Sequence, residues 1–226
     1  MKIAYINPNS TQAMTDHVVA AAQAALPEAQ IVGFTNTDGP PAIEGAEDGA
    51  AAVPGVLSLL PQARACGAEA VVIACFDDTG LAQARAQAGC PVLGIGQASF
   101  LMAALLGLRF SVVTSVAVAV PVIEGNITQL GFAGHCASVR ASGLPVLAID
   151  EGRPETLDRL AGAIAEARER DGADAAILGC AGMAALKTSL EDRTDVMLID
   201  GVAASAHLAR AAIGFAATSG GKRHDA

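Results

Sequence analysis

The sequence predicts an α/β protein made of two similar halves, each built around a parallel sheet. Apolar, strand-like runs alternate with alanine-rich helical stretches along the chain, as doubly wound sheets require. One pattern also occurs twice, at residues 67–75 and 172–180: Gly-Ala-acid-Ala, two apolar residues, Ile or Leu, a tiny residue and then cysteine. A composition with 52% hydrophobic and 3% aromatic residues is typical of closely packed α/β proteins rather than of disordered chains.

The first half begins with an apolar run at residues 2–6 that ends in a polar turn, residues 7–11. Ser10 or Thr11 in this turn is a suitable N-cap for a helix over 11–26. The loop at 39–45 contains two adjacent prolines, which make it a stiff connection. The remaining apolar runs of this half predict strands at 29–34, 69–74 and 91–95 and a helix over 49–67.

The second half follows the most apolar stretch of the chain, residues 98–108. Ser99 interrupts this stretch and Arg109 ends it, so it falls short of the ~20 residues that span a bilayer, and we expect a buried helix over 99–107 between the halves. The polar tail at 219–226 is expected to fray. Further strands are predicted at 110–114, 144–149, 174–179 and 196–200, and further helices at 121–131, 154–171 and 202–214. We expect one domain to comprise residues 1–95 plus 203–226 and the other to comprise residues 96–202.

Composition and charge narrow the functional class. The 226 residues suffice for one domain or two small ones, and the net charge of −9, with no block of Lys or Arg, argues against a nucleic-acid or anionic-membrane partner. The N-terminus lacks the features of a signal peptide, so a cytoplasmic location is expected. Five cysteines and four histidines show neither a disulfide framework nor the spacing of metal ligands. Metal binding is therefore not expected.

The two cysteines of the repeated pattern, Cys75 and Cys180, are the strongest functional candidates. They lie 105 residues apart, each at the carboxyl end of a predicted strand, where open α/β sheets bind ligands. Either cysteine alone is more typical of a buried structural thiol, but the repetition favours a paired role. Two thiols that face each other across a cleft can remove a proton from one side of a carbon and return it on the other side.

The residues that follow each cysteine are expected to change the pKa of its thiol. Each cysteine precedes a helical stretch, whose N-terminal N–H groups and dipole lower a thiol pKa from ~8.5 to roughly 3.5–7.5. The same N–H groups can hold an oxygen that becomes negative when a carbon acid loses its proton. The other cysteines, Cys66, Cys90 and Cys136, are expected only to pack.

Polar residues end the first strand of each half. Asn7 follows the first strand and either begins a turn or offers its amide to a substrate, and both roles are compatible. Thr114 and Ser115 end the strand at 110–114 and can donate hydrogen bonds into the same cleft.

Several motifs occur in an order that resembles the Asp/Glu/hydantoin racemase superfamily, and more narrowly its hydantoin and allantoin racemase branch. The resemblance covers nearly the whole chain, and its most specific element is Leu-Gly-Cys-Ala-Gly-Met at 178–183. The other elements are Ile-Asn-Pro-Asn-Ser at 6–10, Gly-Pro-Pro-Ala-Ile-Glu at 39–44, Ala-Cys-Phe at 74–76 with Gly-Leu at 80–81, Val-Thr at 113–114 and Asp-Gly-Val at 200–202.

The resemblance implies two Rossmann-like lobes related by a pseudo-twofold axis, with the active site in the cleft between them. It also implies homo-oligomers and 1,1-proton transfer without a cofactor, with Cys75 and Cys180 as the two bases. The implied substrate is a cyclic ureide, a 5-substituted hydantoin or allantoin. The residues expected to bind it are Asn7, Pro41, Ile43, Phe76, Asp77, Thr114, Ser115, Ala181 and Gly182.

One departure from the family pattern bears on the substrate. Many relatives carry Gly or Ser followed by Asp-Pro after Cys-Phe, whereas this chain has Asp77, Asp78 and Thr79. A carboxylate beside a thiolate raises the pKa of the thiol and repels anionic substrates, which disfavours an amino-acid dicarboxylate, although Asp77 can instead cap a helix.

Four other functions stay open at this point. Aspartate or glutamate racemases and maleate cis-trans isomerases share the paired thiols. Arylmalonate decarboxylases resemble the fold but keep one thiol, at the second position, so Cys75 argues against them. A two-lobed binding protein needs no thiols at all.

Overall fold

The computed structural model describes residues 1–218, and the predicted tail at 219–226 lies outside this range. It contains two four-stranded parallel sheets with strand orders β2-β1-β3-β4 and β6-β5-β7-β8. The second order repeats the first within its own half, as a pseudo-twofold relation between lobes requires. The strands are β1 Lys2–Asn7, β2 Gln30–Thr35, β3 Ala70–Ile73, β4 Val92–Gly94, β5 Phe110–Thr114, β6 Cys136–Ala141, β7 Ala175–Gly179 and β8 Met197–Asp200.

Helices cover both faces of each sheet, which confirms the predicted α/β class. Helices α4 and α9 contact strands of both sheets and therefore lie between the lobes. Among residues 1–218, no helix combines the length and apolar character needed to cross a bilayer. The helices are α1 Gln12–Ala25, α2 Ala46–Ala65, α3 Leu81–Gln87, α4 Ile95–Leu105, α5 Val120–Gln129, α6 Val146–Glu151, α7 Pro154–Asp171, α8 Lys187–Glu191 and α9 Gly201–Thr218. Short 3-10 helices form at Ala117–Ala119, Ala133–His135 and Ala181–Leu186.

The cores lie on both faces of the sheets, because the strands are buried on both sides, as parallel sheets are. In the first lobe, Ile3 and Tyr5 face one core while Ala4 and Ile6 face the other, the alternation expected of a strand. Helix α9 returns to pack on α1 and β3 of the first sheet and also touches β7 and β8. The domain limits at 95 and 203 stay a prediction.

The strand predicted at 144–149 is wrong. That segment forms helix α6, in which Val146 and Ile149 are buried one turn apart and Gly152, at φ 62°, ends the helix. The strand that the sequence analysis missed is β6, which begins ten residues before the first residue of α6. As an edge strand, β6 is only partly buried and carries Arg140, which pairs with Asp171, so it lacks the apolar run that marks the other strands.

The two halves also share the way their last helices begin. The Asp78 carboxylate accepts hydrogen bonds from the N–H groups of Gly96 (3.0 Å) and Gln97 (2.8 Å) at the start of α4. In the second half, Asp200 accepts the N–H groups of Val202 (2.9 Å) and Ala203 (3.1 Å) at the start of α9. These carboxylates satisfy helix N–H groups that have no partner within the helix.

Candidate active site

Cys75 and Cys180 line one cavity between the lobes. Cys75 follows β3 and Cys180 follows β7, so both lie at the carboxyl edges of their sheets, where the strand registers place Ile6 beside Ile73 and Thr114 beside Gly179. The cavity lining consists of Asn9, Met14, Ile43, Ala74, Cys75, Phe76, Asp77, Thr114, Ser115, Ala119, Val146, Gly179, Cys180 and Ala181.

Each sulfur accepts hydrogen bonds from the chain that follows it. Cys75 Sγ accepts one from Thr79 Oγ1 at 3.4 Å and is also bonded by the backbone N–H of Asp77. Cys180 Sγ is bonded by the backbone N–H of Gly182, in the 3-10 helix that begins directly after the cysteine. A sulfur that receives such donors is better able to carry a negative charge.

The expectation that both thiols have lowered pKa values is wrong. Burial raises the pKa of the Cys75 thiol, and the negative charge of Asp77 raises it further. Burial raises the pKa of Cys180 to about 12, with further contributions from Asp77, Asp150 and Glu44. The neighbouring carboxylates and the exclusion of water raise the thiol pKa values by more than the backbone donors lower them. Both thiols are therefore protonated at neutral pH.

Asp77 lines the cavity beside both thiols and does not cap a helix. The neighbouring Asp78 does so, whereas Asp77 Oδ2 is buried with no hydrogen-bond partner among residues 1–218. Burial raises the pKa of the Asp77 carboxyl from 3.8 to about 7. The group therefore titrates close to neutral pH.

Asn7 does not line the cavity, but it positions a residue that does. Its amide nitrogen donates to Asn9 Oδ1 at 2.9 Å and to Thr15 Oγ1 at 3.0 Å. Asn9 Oδ1 also accepts the Thr11 N–H at 2.9 Å, and the Asn9 side chain then reaches the cavity wall. The sequence motif at 6–10 contained this residue, but nothing in it distinguished Asn9 from Asn7.

The loop at 39–45 closes the cavity from the first lobe. Ile43 and Val146 of α6 both line the cavity, and Glu44 Oε1 accepts the Val146 N–H at 2.8 Å across the two lobes. Pro41 lies outside the cavity, where its carbonyl accepts a hydrogen bond from Thr11 Oγ1 at 2.7 Å. At φ 115°, Gly45 has a conformation that other residues rarely adopt, and it brings the chain against Val118.

The remaining predicted residues divide between the lining and its support. Phe76, Thr114, Ser115 and Ala181 line the cavity, although Thr114 Oγ1 already donates to the Gly179 carbonyl at 3.0 Å. Gly182 lies outside the lining and acts through its N–H on Cys180.

The cavity measures about 30 Å³, enough for one or two water molecules. A five-membered ring needs more room than this, so the cavity has to widen when such a ligand binds. The ionisable residues of the cavity lining are Cys75, Cys180 and Asp77, and the described lining contains no Lys, Arg or His. Within residues 1–218, no group of three or more His, Cys, Asp or Glu side chains is placed to hold a metal ion.

Comparison with known proteins is consistent with this geometry. The family model described as Asp/Glu/Hydantoin racemase matches residues 3–209. A hydantoin racemase of Rhizobium meliloti is 44% identical over 216 residues, which cover 95% of this chain and 89% of that protein. A hydantoin racemase of Pseudomonas sp. (strain NS671) is 37% identical, covering 92% of this chain and 84% of its own. The structure of an allantoin racemase from Klebsiella pneumoniae superposes with a TM-score of 0.90 at 37% identity, covering 95% of this chain and 88% of that one.

Proposed function

The chain belongs to the Asp/Glu/hydantoin racemase family, and we propose that it racemises a five-membered cyclic ureide, a 5-substituted hydantoin or allantoin, without a cofactor. The observation that carries this proposal is that Cys75 and Cys180 come from different sheets and line the same small cavity. The similarity to hydantoin and allantoin racemases supports the choice of ring.

The proposed reaction uses one sulfur as base and the other as acid. A thiolate removes the proton from the ring carbon between the carbonyl and the nitrogen, which leaves a planar enolate. The opposite thiol then adds its proton to the other face, and the negative charge ends on that second sulfur. Thr79 and the N–H groups of Asp77 and Gly182 stabilise the thiolate forms.

The neutral polar groups of the lining suit a ring better than a dianion. The side chains of Asn9 and Ser115 offer an amide and a hydroxyl to ring carbonyl and N–H groups. A dicarboxylate would bring two negative charges beside Asp77, with no basic side chain in the described lining to balance them. This arrangement disfavours aspartate, glutamate and maleate as substrates.

The test is exchange and inversion of one enantiomer in heavy water. The purified protein should remove the optical rotation of a hydantoin and place deuterium at the ring carbon with no added metal or nucleotide. Cys75→Ser and Cys180→Ser should each lower racemisation about 10²–10⁴-fold, since positioned acids and bases contribute that much. Each variant should still exchange the proton of one enantiomer, and the two variants should prefer opposite enantiomers.

Cys136→Ser is the matched control, since Cys136 begins the edge strand β6 outside the cavity. It should keep wild-type rates. Normal racemisation by Cys75→Ser would end the two-thiol mechanism, and conversion of maleate to fumarate at useful rates would make the isomerase function the better one. Binding of hydantoins with no turnover would favour a binding protein.

A further inference from the structure

The Asp77 carboxyl has a buried oxygen without a hydrogen-bond partner, and its position beside Cys75 does not explain this. Its Oδ2 is the only buried side-chain nitrogen or oxygen among residues 1–218 that lacks a hydrogen-bond partner. Buried polar atoms in proteins are nearly always paired, because an unpaired one loses its interaction with water and gains nothing in return. The neighbouring Asp78 has no such deficit, since both of its oxygens accept N–H groups of α4.

The ionisable side chains of the cavity lining, and the charged groups that act on its two thiols, are acidic. Asp77, Cys75 and Cys180 line it, and Glu44 and Asp150 lie near enough to raise the pKa of Cys180. Asp78 and Arg85 do not line the cavity, and the charge of Arg85 acts on Asp78. With no cation in the described lining, the cavity does not favour two negative charges at once. The carboxyl is the strongest acid of the three lining groups, so the first negative charge in the cavity resides on Asp77.

A thiolate therefore has to obtain its charge from Asp77. We propose that Asp77 is a catalytic residue that accepts the proton of whichever cysteine acts as base, directly or through one bridging water. In this step the S–H bond breaks, an O–H bond forms on Asp77, and the electron pair of the S–H bond stays on sulfur. This role rests on the proposed racemase function.

The same proton closes the catalytic cycle. After the first thiolate has taken the ring proton, the second thiol gives up its own proton and becomes a thiolate. Asp77 returns its proton to that second sulfur, so the site again holds two thiols and one carboxylate. Protons balance over the cycle, and one carboxylate serves both directions of inversion.

The role gives racemisation a specific pH dependence. The pKa of Asp77 is about 7, and below that pH the carboxyl is protonated and the site holds no charge to transfer to sulfur. The value of kcat/KM in both directions should therefore rise with pH through about 7.

Asp77→Asn tests the role, because the amide keeps the shape of the side chain but cannot accept the proton. Near neutral pH, kcat/KM should fall about 10²–10⁴-fold for both enantiomers. In addition, the pH midpoint should move upward, because a thiol now has to lose its proton to solvent. Asp77→Glu keeps a carboxyl and should keep a midpoint near that of the wild type even if its rate is lower.

Asp192→Asn is the matched control, because Asp192 is an exposed carboxylate at the end of α8 and its loss changes the net charge equally. It should leave rate and midpoint unchanged, and circular dichroism should show all three variants folded. An Asp77→Asn variant with a wild-type midpoint overturns the proposal, whether its rate is normal or uniformly reduced, since a purely structural role has that second signature. Loss of ring-proton exchange from only one enantiomer in Asp77→Asn also overturns the shared role. A wild-type protein that exchanges no ring proton refutes the racemase function itself, and this step with it.

Discussion

The carboxyl of Asp77 should make the protein less stable as the pH rises, and Asp77→Asn should remove that dependence. The pKa of this group is about 7 in the folded protein and 3.8 as an ordinary carboxyl. The folded state therefore binds more protons than the unfolded state between these values, so its stability is complete below pH ~4 and is lost as the pH rises through about 7. At about 1.4 kcal/mol per pH unit, the free energy of unfolding should fall by about 3 kcal/mol between about pH 5 and about pH 8.

The difference between the two pH values is the quantity to measure. The amide of the variant brings its own cost at this buried position, about 1–3 kcal/mol, but that cost does not depend on pH. Urea unfolding of both proteins at about pH 5 and about pH 8 therefore isolates the carboxyl, and the other titrating groups largely cancel. The variant should gain about 3 kcal/mol relative to wild type over this range, or roughly 6–12 °C in Tm.

Asp192→Asn should show no such change with pH, since its carboxylate is exposed. If the stability difference between wild type and Asp77→Asn were the same at both pH values, Asp77 would be an ordinary carboxylate. Both the raised pKa and the proton transfer built on it would then be refuted.

Two further predictions concern the frame of the site. Gly96→Ala should destabilise the protein by about 1–3 kcal/mol and reduce racemisation, because its new Cβ would meet the Phe76 carbonyl at 2.3 Å beside Cys75. Gly162→Ala, where a Cβ meets nothing within 4 Å on helix α7, should instead stabilise by about 1 kcal/mol, and equal effects of the two in urea unfolding would contradict the close packing. Glu44→Ala should cost about 1.5–3 kcal/mol by leaving the Val146 N–H without its charged acceptor, whereas Glu44→Gln keeps an acceptor oxygen and should lose much less. Equal losses in the two Glu44 variants, measured the same way, would show that the bond between the lobes contributes nothing.

The sequence predicted most strands because parallel strands are buried on both faces and appear as continuous apolar runs. The exception was β6, whose partial burial and charged residue hide it from that pattern. The segment at 144–149 is apolar because one side of α6 faces the core around Val146 and Ile149. A short apolar run does not distinguish a strand from one buried turn of helix, and here the helix begins directly after Pro145.

The positions of the thiols could be predicted from the repeated pattern, but their acidity could not. Position depends on the local order of strand, cysteine and turn, which the sequence shows directly. Acidity depends on water excluded by both lobes and on a carboxylate whose direction is set by the fold. Asn7 and Asn9 show the same limit, because which of two nearby amides reaches the cavity depends on bonds to Thr11 and Thr15.

The repeated pattern explains why the cavity contains two thiols. The difference between its two copies explains why the cavity contains one carboxylate. Cys180 is followed by Ala181 and Gly182, which offer backbone donors and little else, whereas Cys75 is followed by Phe76 and Asp77. Two identical halves would place either no carboxylate or two in the cavity, and two would repel each other and both thiolates. A single carboxylate that raises the pKa of both sulfurs is near enough to influence both, so the proposed proton transfer needs only one acidic residue, in one lobe, to serve both directions of inversion.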